Sequence, residues 1–87
     1  MEVIFIMETR VAVMSIIVED TTQVETLNNI LHEYRESIIG RMGLPYRPKK
    51  INIISIALDA PQDVISALSG RIGNLEGVSV KTAFSKE

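Results

Sequence analysis

Residues 37–50, SIIGRMGLPYRPKK, decide the fold of this chain. The two glycines could form a tight loop that leads into a helix, or they could lie in a bent strand. Pro45 and Pro48 separate these readings, because each lacks an amide donor and forces the residue before it away from helical dihedral angles. The sequence therefore predicts an edge strand over residues 39–44, where a glycine is tolerated at a bulge or bend.

Within the same stretch, IIGRMG is similar to the RNA-clamping loop of KH domains. In that fold the second glycine leads into another helix, which the two prolines disfavour here. The charge balance also disfavours a nucleic-acid interface, because nine Lys and Arg stand against eleven Asp and Glu, for a net charge of −2. A KH-like RNA-binding module is therefore kept as an alternative only.

Upstream of this stretch, the sequence predicts a strand and then a helix. Residues 10–19, RVAVMSIIVE, are rich in β-branched residues and apolar on both faces, which is typical of a strand. Two overlapping helix caps follow, Thr22 with Glu25 and Asp20 with Gln23. The apolar stripe of the helix recurs every three or four residues and comprises Val24, Leu27, Leu31, Tyr34 and Ile38.

Downstream, residues 51–58, INIISIAL, predict a strand, and Pro61 suits the first turn of a second helix. The buried stripe of that helix comprises Val64 or Ile65, Leu68, Ile72 and Leu75. Gly77 is expected to end it in a left-handed conformation, and residues 78–84, VSVKTAF, alternate as a last strand. The order of elements predicts an α+β, ferredoxin-like βαββαβ fold, with a four-stranded antiparallel sheet and two helices on one face.

The composition argues against several chemistries. The chain has no cysteine, so a disulfide, a thiolate nucleophile and a cysteine-type zinc site are excluded. His32 is the single histidine and cannot form a transition-metal site alone; we expect it half-exposed beside the helical stripe. No Ser-His-Asp or Glu-x-x-His arrangement is present. The sequence therefore predicts a protein that is not an enzyme, with no cofactor and no metal site.

The start of the chain predicts neither a membrane span nor a signal peptide. Residues 3–7 are apolar but too few to cross a bilayer, and they lack the basic segment and cleavage site of a signal peptide. No ribbon-helix-helix or helix-turn-helix element is recognisable, so we expect no direct DNA binding. The expected location is the cytoplasm.

Three segments resemble small proteins identified as regulators of the iron-only hydrogenase system, namely METRVAVMSIIVED (7–20), LHEYRESIIGRMGLPYR (31–47) and ISALSGRIGNLEGVSVKT (65–82). The most specific matches are R-x-G-x-P at Arg41, Gly43 and Pro45, and A-L-S-G-x-(I/L)-G at 67–73. The resemblance covers residues 7–81. That family is similar to ACT domains and to the C-terminal domain of the nickel-responsive repressor, which are also ferredoxin-like.

The resemblance implies a non-catalytic ACT-like regulatory or binding domain that acts through a small ligand or a protein partner. ACT effector sites use an Asp-x-x-Gly turn; here Asp20 is present but Gln23 replaces the glycine. The histidines and cysteine of the nickel-responsive domain are absent. A small ligand is expected near Asp20, Thr21 and Thr22, where a helix start offers free amides, although these residues could instead only cap the helix. A small ferredoxin-fold enzyme is the other alternative.

Met7 lies where chains of the resembling family begin, so residues 1–6 are expected to be an extension, either disordered or an extra edge strand. A single domain is then expected at 7–87.

The sheet face opposite the helices is also expected to be apolar, because both alternating sets of the first strand are. Soluble monomers rarely expose contiguous apolar patches beyond a few hundred Å². The sequence therefore predicts a homo-oligomer, a dimer or tetramer, with two-fold symmetry. Its predicted interface comprises Val11, Val13, Ile17, Ile51 and Ile53. In a rival arrangement, the N-terminal VIFI segment covers this face within one chain.

Overall fold

The computed structural model of the chain describes residues 8–86, whose elements follow the order βαββαβ. The strands are β1 (Arg10–Val18), β2 (Ile38–Tyr46), β3 (Ile51–Ala60) and β4 (Val78–Phe84), and the helices are α1 (Val24–Glu33) and α2 (Gln62–Gly73). The strands pair antiparallel in one sheet, in the order β2-β3-β1-β4. The predicted ferredoxin-like α+β fold is confirmed. The predicted extension at residues 1–6 lies outside the described residues.

The decisive stretch is an edge strand, as predicted. β2 continues through both of its glycines and through Pro45, and a 3-10 turn at Arg47–Lys49 follows it. The pairing with β3 shifts between Ile38 and Gly40, which leaves Ile39 as the extra residue of a bulge. No helix follows the second glycine, so the geometry of a KH loop is not formed here.

The core lies between the sheet and the two helices. From the two central strands it takes one alternating set of side chains, Ala12, Met14, Ile16, Val18, Ile54, Ile56, Leu58 and Ala60. From the helices it takes Leu27, Ile30, Leu31, Ile65, Leu68 and Ile72. Because these side chains all lie on one side of the sheet, the helices cover that side and leave the other side open.

Two details of the predicted helices are wrong. The chain leaves α1 after Glu33 and makes a 3-10 turn at Arg35–Ser37, so Ile38 begins β2 instead of completing the helical stripe. α2 ends at Gly73, earlier than Gly77. In both places a tight turn is needed to carry the chain from the helix layer back to the sheet.

Gly77 closes the turn between α2 and β4 with a φ of +73°, the left-handed conformation expected from the sequence. Its carbonyl oxygen accepts hydrogen bonds from the backbone nitrogens of Glu19, at 2.7 Å, and Asp20, at 3.3 Å. The turn thereby holds the loop that leads from β1 into α1.

A surface ion pair joins the two helices. Arg71 Nη2 lies 2.9 Å from Glu33 Oε2, and the Arg71 guanidinium lies 5.7 Å from the centre of the Tyr34 ring. The hydrogen bond and the charge of Arg71 lower the pKa of the Glu33 carboxyl. Because both side chains are exposed to solvent, the pair contributes little to stability, and the helices are held in place mainly by the shared core.

Candidate functional site

The loop predicted to bind a ligand brings Asp20, Thr21 and Thr22 together at the start of a 3-10 turn that precedes α1. Asp20 Oδ1 accepts hydrogen bonds from the backbone nitrogen of Thr22, at 3.0 Å, and from Thr22 Oγ1, at 2.5 Å. Both bonds favour the ionised carboxylate and lower the pKa of Asp20. Asp20 therefore acts as the cap of this turn.

The two capping registers expected from the sequence have different outcomes. No capping box forms between Thr22 and Glu25, because α1 begins at Val24 and its N-cap residue, Gln23, makes no capping bond through its side chain. The register that starts at Asp20 supplies the cap instead. The ligand site at Asp20, Thr21 and Thr22 stays a prediction, since the contacts described here are all within the chain.

Replacing Asp20 with asparagine is expected to lower the midpoint of thermal unfolding slightly at pH 7, because the amide oxygen keeps the hydrogen bonds to Thr22 but loses their charge assistance. The folded-state pKa of Asp20 is depressed, so its contribution is complete above the ordinary pKa of about 3.9 and disappears as the pH falls through the folded value. Thermal scans between pH 7 and pH 2 check this. Asp59→Asn, at an exposed carboxylate of β3, is the control, and a pH-independent difference for Asp20→Asn would contradict the assignment.

The sheet face opposite the helices, here called the open face, is apolar. Val11, Val13 and Ile17 of β1 are each more than 40% exposed there. Ile51 and Ile53 of β3 lie on the same face and are half-buried. The structure thus places all five predicted interface residues on one surface, while their burial by a partner remains a prediction.

The edge strand β2 adds apolar residues to the open face that sequence reasoning missed. Met42, Leu44 and Tyr46 are 58%, 50% and 42% exposed and pair with β3 residues of that face. Their alternation at every second position was the available signal, but the neighbouring glycines and proline obscure it. Leu44, Ile53 and Ile17 fall in one row across three strands.

Charge is confined to the rim of the open face. By the strand register, its charged residues within the described strands are Lys81, on the edge strand β4, and Asp59, near the end of β3. Ser15 and Ser55 pair at the middle of the face. The open face thus has apolar rows on both sides of a central serine pair, and its charged groups lie at the rim, as is usual for the charged residues of a protein interface.

Two surface clefts border the helices on the other side of the sheet. One, of about 250 Å³, is lined by Asn28, Leu31, His32, Arg35, Ile38 and Arg41. The other, of about 300 Å³, is lined by Ile65, Ser66, Ser69, Gly70, Thr82 and Phe84. In the second cleft the Thr82 hydroxyl oxygen is buried without a hydrogen-bond partner in the described part of the chain. His32, which lines the first cleft, is exposed to solvent.

Within residues 8–86, no three side chains of His, Cys, Asp or Glu lie close enough together to hold a metal ion. Neither described helix has the length and apolar character needed to cross a membrane. The features of residues 8–86 that could receive a partner or a ligand include the open face, the loop at Asp20 and the two clefts.

No curated protein matches the chain. A solved structure does, that of the "uncharacterized protein TM1266 from Thermotoga maritima", with 39% sequence identity and a TM-score of 0.88. That match covers 91% of this chain and all of the other. A family model, "TM1266-like: Iron-only hydrogenase system regulator, putative", matches residues 10–82. Since this segment is most of the chain and contains nearly all of the described strands and helices, the chain belongs to the TM1266-like family.

Proposed function

We propose that this chain is a non-catalytic ACT-like regulatory domain of the iron-only hydrogenase system and that it works as a homodimer paired through the open face. The apolar open face is the observation that carries the proposal. Four strands about 4.8 Å apart and some nine residues long span roughly 500 Å² in projection, a size at which the largest exposed patch of a monomer is often a functional surface.

A second copy of the chain is the occupant that fits this face best. Homo-oligomers are most often two-fold symmetric, and such an interface must be complementary to itself. The apolar row formed by Leu44, Ile53 and Ile17 can meet its own copy without placing like charges together, because Lys81 and Asp59 lie at the rim. Sheets that pack face to face do so about 10 Å apart, with interdigitated side chains.

Pairing through the open face leaves both helices and both clefts accessible, so a small ligand or a protein partner can still bind. The link to the hydrogenase system rests on family membership, because a ferredoxin-like fold hosts many activities. We place the role in the cytoplasm, and we propose binding rather than catalysis because the hydroxyl–carboxylate pair described above, Thr22 with Asp20, serves to cap a turn.

Deleting the gene from its host and measuring hydrogenase activity tests this function. We expect altered activity that is restored by the wild-type gene and by Ile17→Val, which keeps the open face apolar, but not by Ile17→Asp. Unchanged activity after deletion would contradict the link to hydrogenase. Full restoration by a monomeric Ile17→Asp variant would contradict the role of the dimer.

A further inference from the structure

The cleft between α1 and β2, here the α1–β2 cleft, holds two arginines in fixed positions. Arg41 Nη2 donates a hydrogen bond to Asn28 Oδ1 at 2.7 Å, and Arg35 Nη1 donates one to the His32 carbonyl oxygen at 3.0 Å. Each arginine is thus fastened to α1 through an uncharged acceptor. Both arginines line the same opening, together with His32.

Among the described residues, no carboxylate oxygen lies within 4 Å of either arginine. Within residues 8–86, the ion pair with a nitrogen-to-oxygen distance below 4 Å is the one that Arg71 forms with Glu33, between the two helices. A guanidinium has five N–H donors, and the described contacts use one on each of Arg35 and Arg41. The remaining N–H groups of both arginines are therefore available to an anion in the cleft.

The floor of the α1–β2 cleft is apolar. Leu31 is 2% exposed at its base, and Ile38 is half-buried beside it. The volume of about 250 Å³ lies just below the roughly 300–1,000 Å³ of pockets for drug-sized ligands. A metabolite with one charged end and a short apolar body matches this combination of size and lining.

We propose that the α1–β2 cleft binds a small organic oxyanion, a carboxylate or a phosphate, through Arg35 and Arg41, with its apolar part against Leu31 and Ile38. The planar guanidinium presents parallel N–H groups that match the two oxygens of such an anion. The C-terminal end of the α1 dipole acts as about half a negative charge and repels an anion. The full positive charges of Arg35 and Arg41 outweigh that repulsion. The inference names a ligand class for the regulatory role proposed above and rests on that role for its biological meaning.

The position of Arg41 also connects this cleft with the open face. Arg41 pairs with Ile56 on the helix side of the sheet, while the next residue, Met42, pairs with Ser55 on the open face. A ligand that holds Arg41 therefore acts on the same edge strand that contributes Met42 and Leu44 to the proposed dimer interface.

Nuclear magnetic resonance titration of the full ¹⁵N-labelled chain tests the site, with sodium phosphate and sodium butyrate, which has one carboxylate and a short apolar chain, as probes at constant ionic strength. We expect chemical-shift changes that saturate with at least one probe and that are largest for the backbone amides of residues 28–41 and the Arg41 side chain. Arg41→Gln should weaken that binding by about tenfold or more, as expected for a lost charge-assisted hydrogen bond. Arg47→Gln removes the same charge from the turn after β2 and should leave binding unchanged.

Three results would overturn the proposal: shifts that do not saturate, equal weakening by Arg41→Gln and Arg47→Gln, or binding of a single-stranded RNA oligonucleotide with no response to either small anion. The oligomeric state is read separately. A monomer that binds anions in the cleft would contradict the homodimer alone, and a dimer that binds neither probe would contradict the cleft alone.

Discussion

Ile17→Asp is expected to convert the dimer into a folded monomer, whereas Ile16→Ala, one residue earlier, is expected to weaken the fold itself. Ile17 is 43% exposed on the open face, and Ile16 is fully buried on the helix side of the same strand. An unpaired charge buried in an apolar interface costs about 3–5 kcal/mol, enough to weaken the dimer by two or more orders of magnitude. The monomer keeps its fold because aspartate at this position can face water.

The variant Ile16→Ala tests the buried face of β1, whereas Ile17→Asp tests its exposed face. Ile16→Ala removes buried methyl groups and should cost about 2–5 kcal/mol of unfolding free energy, a large part of the roughly 5–15 kcal/mol of a small domain. Sedimentation velocity and urea unfolding at one fixed protein concentration distinguish the variants, because dimer stability depends on concentration. Ile17→Val should resemble the wild type. An Ile17→Asp variant that remains dimeric would show that the open face is not the interface.

Gly77→Ala is expected to lower the free energy of unfolding by at least about 2 kcal/mol, because backbone strain and a steric clash act together. The φ of +73° at Gly77 is unfavourable for any residue with a side chain. An added Cβ would also lie 2.6 Å from the Cβ of Asp20 and 3.1 Å from its backbone nitrogen, which are both held by the loop before α1. Relieving that contact would break the hydrogen bonds that the Gly77 carbonyl accepts from Glu19 and Asp20.

Gly70→Ala is the matched control and should raise the free energy of unfolding instead of lowering it. Gly70 lies inside α2, and a Cβ added there meets nothing within 4 Å. Alanine should therefore stabilise the helix by about 0.5–1 kcal/mol. Urea unfolding of both variants beside the wild type measures the two effects. If the variants change stability in the same direction, the contact between the Gly77 turn and the Asp20 loop is wrongly described.

The fold was predictable where local chemistry leaves few options. Pro45 and Pro48 disfavour an α-helix after the second glycine, and the β-branched run of residues 10–19 has no helical period. Ile38 was misplaced because it continues the spacing of the α1 stripe by coincidence. Its strand conformation comes from pairing with Leu58, a tertiary contact that overrides local preference.

The candidate surfaces were predictable only in part. Alternation within β1 is local, so the sequence grouped Val11, Val13 and Ile17 on one side of the strand, but which side faces the helices is set by the tertiary packing. The α1–β2 cleft did not, because Arg41 meets Asn28 only when β2 lies beside α1. For the loop at Asp20, the sequence supplied the residues and the structure supplied their capping bonds, while a bound ligand stays a prediction.

The mass of the full wild-type chain in solution tests the central claim most directly, because the open face is proposed to be covered by a second copy. Sedimentation equilibrium at micromolar concentration should give twice the 9.7 kDa of one chain, or a higher even multiple. A chain that begins at Met7 should give the same result. A full chain that stays at 9.7 kDa would contradict the account, and dimerisation only after removal of residues 1–6 would show that this segment covers the open face instead.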